Sequence, residues 1–141
     1  GGSLRGGQVT DQGAAATRKY VSVEGGMSDN IRPALYEAEY SATIASRSSD
    51  AEATLSRVVG KHCESGDIVV RHALLPADVS VNDLLAVPAT GAYCFSLSSN
   101  YNYLPRPAVI AVKGGTAKVL IRAETERDLL NRDAGFEPGE A

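Results

Sequence analysis

A chain of 141 residues, 43% hydrophobic and 22% charged, is long enough to bury a core without staples and has ordinary globular composition. Its net charge of −3 gives no reason to expect nucleic acid or an anionic membrane as a partner, and no stretch approaches the apolar length of a membrane span. Two cysteines, Cys63 and Cys94, are too few for a disulfide framework and place the chain in a reducing cytoplasm.

In chain order, GGSLRGGQV carries no initiator Met and no leader, so residues 1–17 read as a truncated start inside a domain. Tyr20–Val23 is predicted as a strand that stops at the turn pair Gly25–Gly26. SDNIRPALY can hold a helical turn with Pro33 near its start. Tyr40, Ala42 and Ile44 alternate with polar neighbours, as in a half-buried strand. Residues 47–56 read as a polar, small-residue connection. Strands are predicted over Arg57–Lys61, Asp67–Leu75 and Asp83–Val87, and a second helical turn within GAYCFSLSSNY.

The sharpest local signal is AVIAVKGGTAKVLIRAE. Gly114–Gly115 supplies the positive φ angles of a two-residue hairpin, so Lys113 should face Thr116. That register pairs Val112 with Ala117, Ile110 with Val119 and Ala108 with Ile121, one apolar face that is expected to be buried. TERDLLNRD reads as a short helix capped by Thr125 with Asp128 three residues on. Residues 133–141 are expected to be a loose tail. Many short strands and few helices argue for a mainly β domain, a barrel or sandwich, over residues 18–132.

Chemistry-bearing side chains crowd into HCESGD, between two predicted strands. His62, Cys63 and Glu64 are consecutive, and neighbours on an extended chain point to opposite sides, so the three do not converge on one ion and no metal is expected. The same geometry turns His62 away from Cys63 as an activating base. Cys63 as a proton donor needs only access and a suitable pKa; as a structural residue it needs neither. Arg32 and Tyr36 are four apart and share a face if their segment is helical, offering a guanidinium and a phenol to one anion, or simply packing together. Tyr93, in TGAY, follows a small-residue turn that could open an anion site or only bury a ring.

In combination and in this order, GGMSDNIRPALY, VVGKHCESGDIVV and LLAVPATGAYCFSLSSNYNYLPRPAVIAV closely resemble the C-terminal part of diaminopimelate decarboxylases, above all the actinobacterial branch. The resemblance runs from about Arg18 to Leu130. It implies a pyridoxal 5'-phosphate enzyme that removes CO2 from meso-diaminopimelate to make L-lysine. The implied subunit joins a (β/α)8 barrel, absent from this chain, to a C-terminal β-domain like that of alanine racemases, and its active sites form between the two subunits of a homodimer. By matching motif, Cys63 resembles the proton donor and Glu64 the holder of the substrate's distal ammonium. Arg32 and Tyr36 match the positions that bind the distal carboxylate, and Tyr93 one that touches cofactor and substrate.

The resemblance places the lysine that binds the cofactor in the missing barrel, and none of Lys19, Lys61, Lys113 or Lys118 has a matching context. The chain therefore reads as a C-terminal fragment, expected to be inactive alone. Two positions depart from the pattern: Glu24 stands where Asp is usual, and Pro88, where a small residue is usual, removes a backbone donor near Tyr93. A related ornithine or arginine decarboxylase is the neighbouring reading, against which the pairing of Arg32 with CESGD argues. A non-catalytic, stand-alone β-barrel interaction module is the reading from another class.

Overall fold

The computed structural model describes residues 18–135 and, by backbone alone, residues 5–9. The rest of the predicted N-terminal segment, and residues 136–141 of the predicted tail, lie outside the described residues. The chain divides into two compact units, one ending at Ser98 and one beginning at Ser99.

The first unit contains β1 (Arg5–Val9), β2 (Arg18–Ser22), α1 (Arg32–Tyr36), β3 (Thr43–Ile44), β4 (Ala53–Val59), β5 (Ile68–Pro76), β6 (Leu85–Ala86) and α2 (Cys94–Leu97). Its main sheet has the order β1-β2-β4-β5, and β3 pairs with β6 in a small separate ribbon. Within the main sheet β2 and β4 run parallel, with Val21 opposite Val58, while the other pairs are antiparallel. A parallel pair needs a crossover. Here the crossover carries α1 and β3.

The core is Val21, Val58, Val70, Ala73, Leu75 and Val79. Strict alternation along β5 would put Val70 and Ala73 on opposite faces, yet both are buried. A bulge resolves this: Ser56 faces Ala73 but Val58 faces Val70, so β5 spends one extra residue there and returns its apolar side chains to the same face. Strand β4 begins at Ala53, inside the stretch predicted as a connection. Thr54, Leu55 and Ser56 pair with Leu75, Leu74 and Ala73, and this cross-strand pairing overrides a weak local preference. At the rim, Arg47 grips the Asp83 carboxylate through two hydrogen bonds of 2.6 and 2.7 Å, and Asp78 through its carboxylate at 2.9 Å and its carbonyl at 3.0 Å. The Arg47 guanidinium, helped by the backbone N–H of Ser80, holds the Asp83 carboxyl down to about 2.

The second unit holds a 3-10 turn at Tyr101–Tyr103, the hairpin β7 (Val109–Lys113) and β8 (Thr116–Ile121), and α3 (Glu126–Leu130). Lys113 faces Thr116, Val112 faces Ala117 and Ile110 faces Val119, as the Gly-Gly turn dictates. The predicted Ala108–Ile121 pair does not form. An irregularity between Val109 and Ile110 shifts the register, and Val109 faces Ile121 instead. The apolar face expected to be buried is open: Val112 is 72% exposed and Val119 58%. A two-stranded ribbon buries a face only against another layer, and the described residues of its own unit do not supply one. Thr125 and Asp128 form the reciprocal capping box of α3.

Candidate functional site

Parallel pairing of β2 with β4 has a direct consequence for the site. The chain leaves both strands at the same end of the sheet, so the loop that leads into α1 and the loop containing HCESGD emerge side by side. Val23 continues the ladder by donating its N–H to the Val59 carbonyl at 2.9 Å, and Lys61 then donates its own to Gly25 at 3.2 Å.

The buried carboxylate of Asp67 locks the two loops together. One oxygen accepts the backbone N–H of Met27 and the other that of His62, both at 2.7 Å. Gly60 is required there, because a Cβ would fall on that carboxylate. Beside it the buried His62 ring shares a 2.9 Å hydrogen bond with the Ser28 hydroxyl, a further link between the loops. Asp29, in the same loop, has its carboxyl raised above 3.8 by burial, against the opposing pull of the Gly26 N–H.

These bonds sort the motif's side chains. His62 and Asp67 face inward and hold the loop, whereas Cys63 and Glu64 are exposed at its crest. The expectation that His62 and Cys63 point apart agrees with this arrangement. Among the described residues, no three His, Cys, Asp or Glu side chains converge as a metal cage.

The segment of Arg32 and Tyr36 is helical, with Pro33 in its first turn and Arg71 Nη2 tying it to β5 through a 2.8 Å bond to the Pro33 carbonyl. Tyr36 stands exposed at the end of α1. Arg32 is half-buried and packs on two other tyrosines. Its Nη1 donates to Tyr40 Oη at 2.9 Å, and its Cζ lies 5.7 Å from the ring centre of Tyr93. Tyr93 caps α2 with φ of 67°, a left-handed conformation unusual for a bulky residue. A cleft of about 260 Å³ opens beside Arg32, lined also by Glu39, Tyr40 and Pro88.

Of the predicted site residues, the structure therefore brings Arg32 against Tyr93. Cys63 and Glu64 are joined to that pair through Asp67 and the backbone beneath. Tyr40 and Asp67 were not among the predicted site residues. Tyr40 reads from sequence as one position of an alternating strand and Asp67 as the start of β5, and neither pattern signals a partner far along the chain.

The described fold is a β-domain whose four-stranded sheet has a parallel central pair, with an arginine–tyrosine cluster and an exposed Cys-Glu crest on the loops that leave it. Residues 7–91 match the model of the pyridoxal-dependent decarboxylase C-terminal sheet domain, and the chain belongs to that family. It is 53% identical over 130 residues to the diaminopimelate decarboxylase of Corynebacterium efficiens, covering 92% of this chain and 28% of that protein. It is 59% identical over 121 residues to that of Mycobacterium tuberculosis, covering 86% of this chain and 27% of that protein. The crystal structure of diaminopimelate decarboxylase from M. jannaschii in complex with L-lysine superposes with a TM-score of 0.79 at 30% identity, over 94% of this chain and 29% of the other. The chain thus spans little more than a quarter of these relatives' length.

Proposed function

We propose that these residues form the substrate-completing β-domain of a diaminopimelate decarboxylase, which converts meso-diaminopimelate to L-lysine and CO2 in the cytoplasm. The observation that carries the reading is the Arg32 guanidinium, held between the Tyr40 hydroxyl and the Tyr93 ring at the sheet end to which the Cys63 loop is tied. High identity to named diaminopimelate decarboxylases supports it.

Membership of a pyridoxal-dependent family implies the cofactor, and the residues here fit one edge of its site. Tyr93 offers an exposed phenol to touch it, whereas the ammonium of Lys19 is already donated to the carbonyls of Ala77 and Val79. The family resemblance assigns the lysine that binds the cofactor covalently to the barrel domain, outside these residues. When bound, pyridoxal phosphate supplies a sink for the electron pair left as CO2 departs.

This chain's residues bind, orient and protonate. Arg32 and Tyr36 take the substrate's distal carboxylate, a planar anion suited to a guanidinium fork. Glu64 takes the distal ammonium. Cys63 gives its S–H proton to the carbon that has lost CO2, a role that requires the exposure it has. The site is shared across a homodimer, with Cys63 reaching its partner's cofactor.

The test is substrate choice by the full-length enzyme carrying these residues. CO2 and lysine released from meso-diaminopimelate, with ornithine and arginine turned over far more slowly, is the expected result. Ornithine or arginine as the better substrate would overturn the reading, because neither carries the distal carboxylate that Arg32 is assigned to hold.

A further inference from the structure

Tyr40 has a ring packed against the hydrophobic core and a hydroxyl that leaves it. That hydroxyl accepts a 2.9 Å hydrogen bond from Arg32 Nη1 and lies 4.0 Å from the buried thiol of Cys94. The neighbouring residues divide the work. At φ of 67° the backbone of Tyr93 lets its ring lie against the Arg32 guanidinium, while Cys94, next in sequence, turns inward to the Tyr40 hydroxyl. A long side chain on a five-residue helix would otherwise sample many rotamers.

We propose, on the reading of Arg32 given above, that Tyr40 is a positioning residue for the distal-carboxylate site. Its hydroxyl occupies one Nη1 donor of Arg32, the Tyr93 ring fixes the plane, and the donors on Nε and Nη2 are left to form the fork that takes the carboxylate. Tyr40 acts through Arg32, whose Nη1 its hydroxyl holds. Its ring is anchored in the core, so the guanidinium is set by the rigid part of the domain rather than by α1 alone.

Steady-state kinetics of the full-length, cofactor-loaded enzyme on meso-diaminopimelate test this with Tyr40→Phe, which keeps the ring and removes only the hydroxyl. KM should rise about 3–10-fold with kcat within about twofold, the signature of a lost binding contribution. The melting temperature should hold. Arg32→Ala should raise KM further, and adding Tyr40→Phe to it should change nothing more, because the two residues act as one unit. An unchanged KM in Tyr40→Phe, beside a raised KM in Arg32→Ala, would overturn the role of Tyr40 alone. Arg32→Ala with unchanged KM would overturn the reading of Arg32 and this one with it. Additive effects in the double variant, or parallel losses of kcat and melting temperature, would make Tyr40 a packing residue only.

Discussion

Asp67 accepts a 2.7 Å hydrogen bond from the backbone N–H of Met27, and that bond ties the loop carrying Cys63 to the loop leading into Arg32. The two residues are 40 apart in sequence. The other carboxylate oxygen serves His62, so one side chain bonds to both of the loops that the parallel strands β2 and β4 deliver to the same sheet end.

Removing that carboxylate should loosen both loops at once. Asp67→Ala orphans two backbone donors, each costing about 1–3 kcal/mol when left unpaired and buried. Gly60→Ala should imitate it without removing the carboxylate, since its methyl group would displace the carboxylate from its place. Both variants should melt earlier and lose turnover as well as substrate affinity. Melting curves and steady-state kinetics on the full-length enzyme measure this, and a Gly60→Ala enzyme with wild-type stability would contradict the crowding.

Cys63 should separate turnover from binding. In the full-length enzyme Cys63→Ala is expected to lower kcat by roughly 10²–10⁴-fold, the range for a lost general acid, with a far smaller change in KM. Its side chain is exposed, so stability should not change. A variant with wild-type kcat would remove Cys63 from the proton-transfer step.

Elements with local signals are legible in the sequence. The Gly114–Gly115 turn and the Thr125–Asp128 capping box each involve residues within a few positions of one another, and both form as read. That His62 and Cys63 point apart is legible too, from alternation alone. Which of the two is exposed is not, because that depends on the Asp67 and Ser28 partners that hold His62 inward. What is not legible depends on distant partners: the bulge that puts Val70 and Ala73 on one face, the Asp67 clamp, and the Tyr40 hydroxyl under Arg32. Tyr40 and Ile44 do alternate inward as predicted, but nothing in that pattern says that the phenol oxygen meets a guanidinium eight residues earlier.

Two carboxylates should act on acid stability with opposite signs. Asp83 is held at about 2 in the fold against an ordinary 3.8, so its contribution is fully present above about pH 4 and is lost as pH falls through about 2. Asp29 is raised by burial, so the folded state binds its proton more tightly and stability declines as pH rises through the interval just above 3.8. Denaturant midpoints measured between about pH 2 and 6 should therefore show Asp83→Asn less stable at neutral pH with a flatter acid limb. Asp29→Asn should remove the opposing slope. The same acid limb in wild type and Asp83→Asn would exclude the Arg47–Asp83 pair as its source.

If the Cys63 loop completes a partner's site, Cys63 and the cofactor-binding lysine of the barrel serve one reaction from two chains. Two inactive full-length variants, one lacking Cys63 and the other that lysine, should then complement each other when their subunits exchange. In a symmetric dimer each mixed pair rebuilds one intact site of two, and mixed pairs make up half of a random population. About a quarter of wild-type activity should return. If both groups came from one chain, every mixed site would lack one of them. Recovered activity in proportion to the mixed dimer, separated by differently tagged subunits, is the expected outcome. No recovery after verified exchange would make HCESGD a loop that serves its own chain's site.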